Sequence, residues 1–135
     1  MKNPEKRTEN RIEALKLLYE MEMTGKSLDE VLKNKDELEL NDTILEYVKK
    51  ATECDEEIVS IIEANLKNYR LNRLNKLDVV ILKGAVAEML IGKTPHAIII
   101  NEALNISRAF TQTEDFDSVK FNNSVLDKIS KSLKN

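Results

Sequence analysis

Arg7 and Arg11 stand four residues apart with Lys6 beside them, so on a helix the two arginines share one stripe. Cations at that spacing can follow a single run of phosphates, although Glu9 dilutes them and the same residues also suit a plain solvated face. A second grouping lies near the other end, where Asp117, Lys120 and Phe121 fall within the first turns of a last helix. Free backbone N–H groups, a cation and a ring placed there can meet a ribose-phosphate backbone and a base. Helical spacing with Val125 makes Phe121 equally a candidate for the core.

Catalytic chemistry finds little support. His96 is the only histidine, it directly follows Pro95 at a helix start, and no serine or cysteine partner stands at a suggestive spacing. It reads as a solvated or cap-adjacent residue. The glycines stand singly at Gly25, Gly84 and Gly92, which excludes a glycine-rich phosphate loop. Carboxylates crowd residues 29–63, but runs such as Asp55, Glu56 and Glu57 suit a solvated helix face better than a paired acid and base. One cysteine cannot close an internal disulfide, and with one histidine it cannot build a zinc site. The expectation is therefore a metal-free, cofactor-free, non-enzymatic protein of a reducing compartment, with Cys54 a packing residue.

The elements that must position these residues are well punctuated. Asn3, Pro4 and Glu5 read as an N-cap, a proline at the first helical position and an acid at the positive end of the helix dipole. That helix is expected to run to about Met23, with Ile12, Leu15, Leu18, Tyr19 and Met23 on one face and Gly25 as its left-handed stop. Ser27 and Glu30 form a capping box for a short second helix through Val31 and Leu32. Asn41 caps a third segment in which Ile44, Leu45, Val48, Ile58, Ile61, Ile62 and Leu66 recur at helical spacing, one long helix with a kink near Cys54. Arg70 to Lys76 is a basic connector able to hold a short turn of helix.

Asp78 to Ile91 is rich in β-branched residues, yet its length and the spacing of Val79, Leu82, Val86, Met89 and Leu90 favour a helix ended by Gly92. Thr94 and Pro95 open another helix, to about Phe110, in which Asn101 and Glu102 are expected to satisfy neighbouring polar groups. After a loop over Thr111 to Phe116, Asp117 caps a final helix carrying Phe121, Val125, Leu126, Ile129 and Leu133. The fold expected is all-α, one compact domain over residues 1–135, with a subdomain boundary near 67–77 where the charge changes sign. Residues 26–66 carry five basic and twelve acidic groups, and residues 67–135 carry eleven and seven. A net charge of −3 gives no general attraction to nucleic acid, so any such contact must be local. The start of the chain is polar and apolar runs such as Ala97 to Ile100 are too short to span a bilayer, which leads to the expectation of a soluble, cytoplasmic protein.

Four segments resemble the NusB family of bacterial transcription antitermination factors: Arg11 to Tyr19, Leu71 to Leu90, Pro95 to Ala103, and Lys120 to Ile129. The most specific are the Ile100-Asn101-Glu102-Ala103 string and the Phe121-to-Asp127 string. The resemblance implies about seven helices in two packed three-helix groups and a protein without catalytic activity. It also implies pairing with ribosomal protein S10, called NusE in this role, to hold single-stranded boxA RNA of nascent transcripts, notably ribosomal RNA, so that RNA polymerase resists termination.

Carried over by position, the family's arginine-rich first helix survives here at Arg7 and Arg11, with Thr8 and Glu9 between them. Asp78 matches an acidic position used toward the partner, and Asp117, Lys120 and Phe121 match a cluster that contacts RNA and borders the partner surface. Ala97 stands where some relatives carry a lysine, and Asn122 and Ser124 replace an apolar residue and a glycine. Two rival readings follow: a protein-binding helical module with weak or lost RNA contact, and a domain like the RNA-binding part of ribosomal RNA cytosine methyltransferases. The latter enzymes continue into a cofactor-binding domain, and no glycine-rich segment for S-adenosylmethionine occurs before Asn135.

Overall fold

The computed structural model describes residues 4–33, 35, 40–67 and 70–134, with side chains described from Arg7 onward in the first helix. Asn3, read as the first N-cap, and the side chain of Lys6 lie outside the described residues. Seven α-helices are found among the described residues: α1 (Pro4–Thr24), α2 (Leu28–Leu32), α3 (Asp42–Glu53), α4 (Asp55–Ala64), α5 (Lys76–Ile91), α6 (His96–Phe110) and α7 (Ser118–Leu133). A 3-10 turn, Leu71–Arg73, supplies the short helix expected on the basic connector.

Apolar residues are spread around helix α5 between its few charged ones, and such a helix is stable in water only when other elements cover most of it. α1, α3, α4, α6 and α7 all pack against it, and Val80, Ile81, Leu82, Val86 and Ala87 are each at most 1% exposed. It begins two residues before Asp78, because the Asn75 side chain caps it by accepting the Leu77 N–H at 2.8 Å.

The core has two parts. Ala14, Leu17, Val31, Ile44 and Val48 join α1, α2 and α3 in the smaller one, while α4 to α7 build the larger around Ile58, Ile62, Leu82, Val86, Leu126 and Ile129. The division runs along α3, where Val48 faces one cluster and Ala51 the other; Leu71 of the connector is buried in the larger cluster. Helix α1 serves both, with Ala14 and Leu17 in the smaller cluster and Ile12, Leu15 and Leu18 against the larger. The single face read from the sequence is thus too narrow, and Met23, placed on it, is 53% exposed.

Capping follows the sequence at several helix ends, but not at α6, which starts at His96 with Pro95 as its N-cap and no side-chain cap from Thr94. Gly25 (φ 74°) and Gly92 (φ 78°) end α1 and α5 in the left-handed region that favours glycine. Ser27 and Glu30 form a complete capping box, and the Asn41 side chain accepts the Ile44 N–H at 2.9 Å. At Cys54 the backbone (φ −106°, ψ 21°) leaves helical geometry, so the long segment is two helices rather than one bent one. Asp55, Glu56 and Glu57 then occupy the first turn of α4, where carboxylates complement the positive end of the dipole.

Candidate nucleic-acid interface

The arginine pair of α1 divides at the surface. Arg7 is exposed and makes no ion pair among the described residues, whereas Arg11 is only 6% exposed. Arg11 Nε and Nη2 donate to the two carboxylate oxygens of Glu88 on α5 at 2.8 and 2.7 Å, and Nη1 lies 3.6 Å from Glu102 on α6. Thr8 completes the cluster by donating to Glu102 Oε1 at 3.0 Å. The hydrogen bond to Glu88 raises the Arg11 pKa further above its ordinary value, against the opposing effect of burial. Arg11 is therefore not placed to track phosphates as the shared stripe suggested. One helical turn further along α1, the side chain passes under the cover of α5 and α6, where Glu88 takes two of its donors and Nη1 stays within ion-pair distance of the half-buried Glu102.

Beside Arg7, a polar cleft of about 330 Å³ opens between α1, the start of α3 and the α5–α6 turn. Asn10, Thr43, Tyr47 and the Glu46–Lys93 ion pair (2.8 Å) line it with charges of both signs. Burial raises the pKa of Tyr47, so its hydroxyl stays protonated further into the alkaline range.

At the start of α7, Asp117, Lys120 and Phe121 do come together. The Asp117 carboxylate caps the helix by accepting the Lys120 N–H at 3.0 Å, and Lys120 is exposed with no ion pair among the described residues. Phe121 is half-buried, and its ring stands 5.5 Å from that of Phe116 at 52°, a tilted aromatic pair. Phe116 is itself 38% exposed, which sequence reading overlooked by placing it in a plain loop. That loop is ordered by its own side chains. Thr113 Oγ1 accepts the Phe116 N–H at 3.1 Å, and Gln112 Oε1 accepts the Val119 N–H at 3.0 Å, a second cap for α7.

Asp78 departs from expectation, being 2% exposed beneath α7 instead of facing a partner. It accepts from Ser118 and Asn122, whose donors hold it inward. Asp78 and Glu88 lie ten positions apart on α5, so the two candidate patches are anchored about 15 Å apart along that axis. His96 Nδ1 is 2.7 Å from Ser130 Oγ and joins the start of α6 to the end of α7. Among the described residues no group of three potential ligands could hold a metal ion, and no helix is long and apolar enough to cross a membrane.

Residues 8–131 match the NusB family. The chain belongs to that family. A relative from Listeria innocua, named transcription antitermination protein NusB, is 36% identical over 126 residues, covering 93% of this chain and 96% of its own. NusB from T. maritima superposes with a TM-score of 0.81 at 31% identity, covering 97% of this chain and 93% of the other. A second solved structure, of antitermination factors NusB and NusE in complex with dsRNA, gives a TM-score of 0.77 at 25% identity over 96% of this chain and 99% of that one. The all-helical NusB fold implied by the four sequence segments is the fold found.

Proposed function

We propose that this chain acts in transcription antitermination as a cytoplasmic, non-catalytic adaptor, holding boxA RNA of nascent transcripts together with ribosomal protein S10 (NusE) in the antitermination complex of RNA polymerase. The observation that supports this is the family match across residues 8–131, joined to the likeness to a NusB solved with NusE and RNA. Arg7 and Lys120 are the cations offered to phosphate, and Phe121 with Phe116 offers the ring surface to a base. Asp117 shapes that surface through its cap. Only Arg7 remains of the arginine pair as an exposed cation, so affinity for RNA is expected to depend on what the partner adds.

A transcription assay tests the reading. On a template carrying a boxA segment before a terminator, adding the chain with NusE should increase read-through, and deleting the boxA segment should abolish the increase. Read-through unaffected by the chain in the presence of the other antitermination factors would overturn the proposal.

A further inference from the structure

The start of α7 rests on a buried polar cluster that spans three helices. Asp78 in the first turn of α5, Ser107 on α6, and Ser118 and Asn122 on α7 are each at most 2% exposed. Asn122 Nδ2 donates to Asp78 Oδ1 at 3.1 Å and to Ser107 Oγ at 2.8 Å. Ser118 Oγ lies 3.3 Å from Asp78 Oδ2 and 3.1 Å from the Thr111 carbonyl, and its single proton serves one of them at a time. The Asp78 carboxylate lies in the first turn of α5 and meets the first turn of α7 at Ser118. A carboxylate and an amide cost more to bury than two apolar side chains, so the cluster contributes geometry more than stability. The geometry it constrains is that of the two turns bearing Lys120 and Phe121.

We propose that Asp78, Ser107 and Asn122 are positioning residues: a buried latch that fixes the start of α7, so that Lys120 and the Phe116–Phe121 ring pair are held ready for RNA and partner. The inference rests on the preceding functional reading for its consequence in binding, but the latch itself is a property of the free chain. It assigns Asp78 a role through hydrogen bonds to α7 in place of a charge presented to the partner. Preorganisation of this kind lowers the ordering cost at the moment of binding.

Isosteric substitution separates the two roles. In Asp78→Asn the new amide oxygen can accept from Asn122 while its NH2 donates to Ser118 Oγ, which in turn donates to the Thr111 carbonyl. Every bond of the latch keeps a partner although the charge is gone. Asp78→Ala breaks the latch, and Ser118→Ala removes a single bond should the alanine at 78 prevent folding. Two measurements on the full chain apply. The first, without ligand, is amide hydrogen exchange at Val119, Lys120 and Phe121 relative to Leu126 and Ile129, with the Phe116–Phe121 nuclear Overhauser contact. The second is boxA RNA affinity in the presence of NusE.

Asp78→Asn is expected to match the parent in both. Asp78→Ala should accelerate exchange selectively at the start of α7 and weaken binding by roughly tenfold, with Ser118→Ala intermediate. A lesion elsewhere in the same core, Ile62→Val, should leave that selective pattern unmoved. The proposal is overturned if Asp78→Asn loses as much affinity as Asp78→Ala with exchange unchanged, or if neither Asp78→Ala nor Ser118→Ala alters exchange at those three amides. Failure of the parent chain itself to bind RNA with NusE would count against the functional reading, while exchange would still decide the latch.

Discussion

At the scale of single residues, the two arginines of α1 show how one turn of helix changes a role. Arg7 and Arg11 share a stripe, yet only Arg11 lies under α5 and α6, where Glu88 and Glu102 receive it. Removing one partner of a buried, hydrogen-bonded pair strands the other charge, so Arg11→Ala should destabilise the chain by about 3 to 5 kcal/mol. Urea denaturation would measure this, and a negligible change would mean the pair is solvated. Arg7→Ala, at the surface, should alter stability by no more than about 0.5 kcal/mol. It should instead lower the salt slope of single-stranded RNA binding by about 0.7, read from titrations with NusE present. The i,i+4 spacing was legible in the sequence, whereas the fate of Arg11 was not, because burial comes from helices seventy and more positions away. One signal was available: Glu88 stands alone in the otherwise apolar run from Gly84 to Ile91, and a buried carboxylate calls for a cation. Asp78 escaped for a similar reason, since its acceptors are met by Ser118 and Asn122, forty and more positions away.

At the scale of elements, boundaries were the most readable feature because caps and glycine stops are local chemistry. Ser27 and Glu30 bond reciprocally at 3.2 and 3.1 Å, and those bonds hold the Glu30 pKa below its ordinary value of 4.5. A folded-state pKa below the unfolded value adds stability that is present above pH 4.5 and lost as pH falls through the folded pKa. Helicity of the Ser27→Ala variant should accordingly show a weaker acid dependence below that pH than the parent, by circular dichroism; identical acid curves would discount the capping box. The burial of Val79, Leu82, Val86 and Met89 on α5 was also legible, although Val80, Ile81 and Ala87 on its other sides are buried as well. Leu82 is fully buried, and Leu82→Ala should cost roughly 2 to 5 kcal/mol, with a change well under 1 kcal/mol showing that the site collapses or was misplaced. Less readable were the full break at Cys54, where the sequence suggested only a kink and no proline or glycine marks more, and the division of α1 between two clusters, which blurs any single apolar stripe. The order within the Thr111–Phe116 loop was hidden too, because Gln112 and Thr113 act on backbone groups several residues on.

For the molecule as a whole, charge sets the terms of the proposed RNA contact. The chain carries a net −3, and among the described residues its exposed candidate cations are Arg7 and Lys120. Two phosphate contacts release few counterions, so electrostatics alone supports only feeble binding. A partner held on the same scaffold adds its own contacts and raises the effective concentration of each surface for the other. The most direct test of the adaptor account is the affinity of the chain for single-stranded boxA RNA at fixed salt, measured without NusE and then with it. The account predicts weak binding by the chain alone and a rise of about a hundredfold or more when NusE is present. Equal affinity in the two conditions would contradict it.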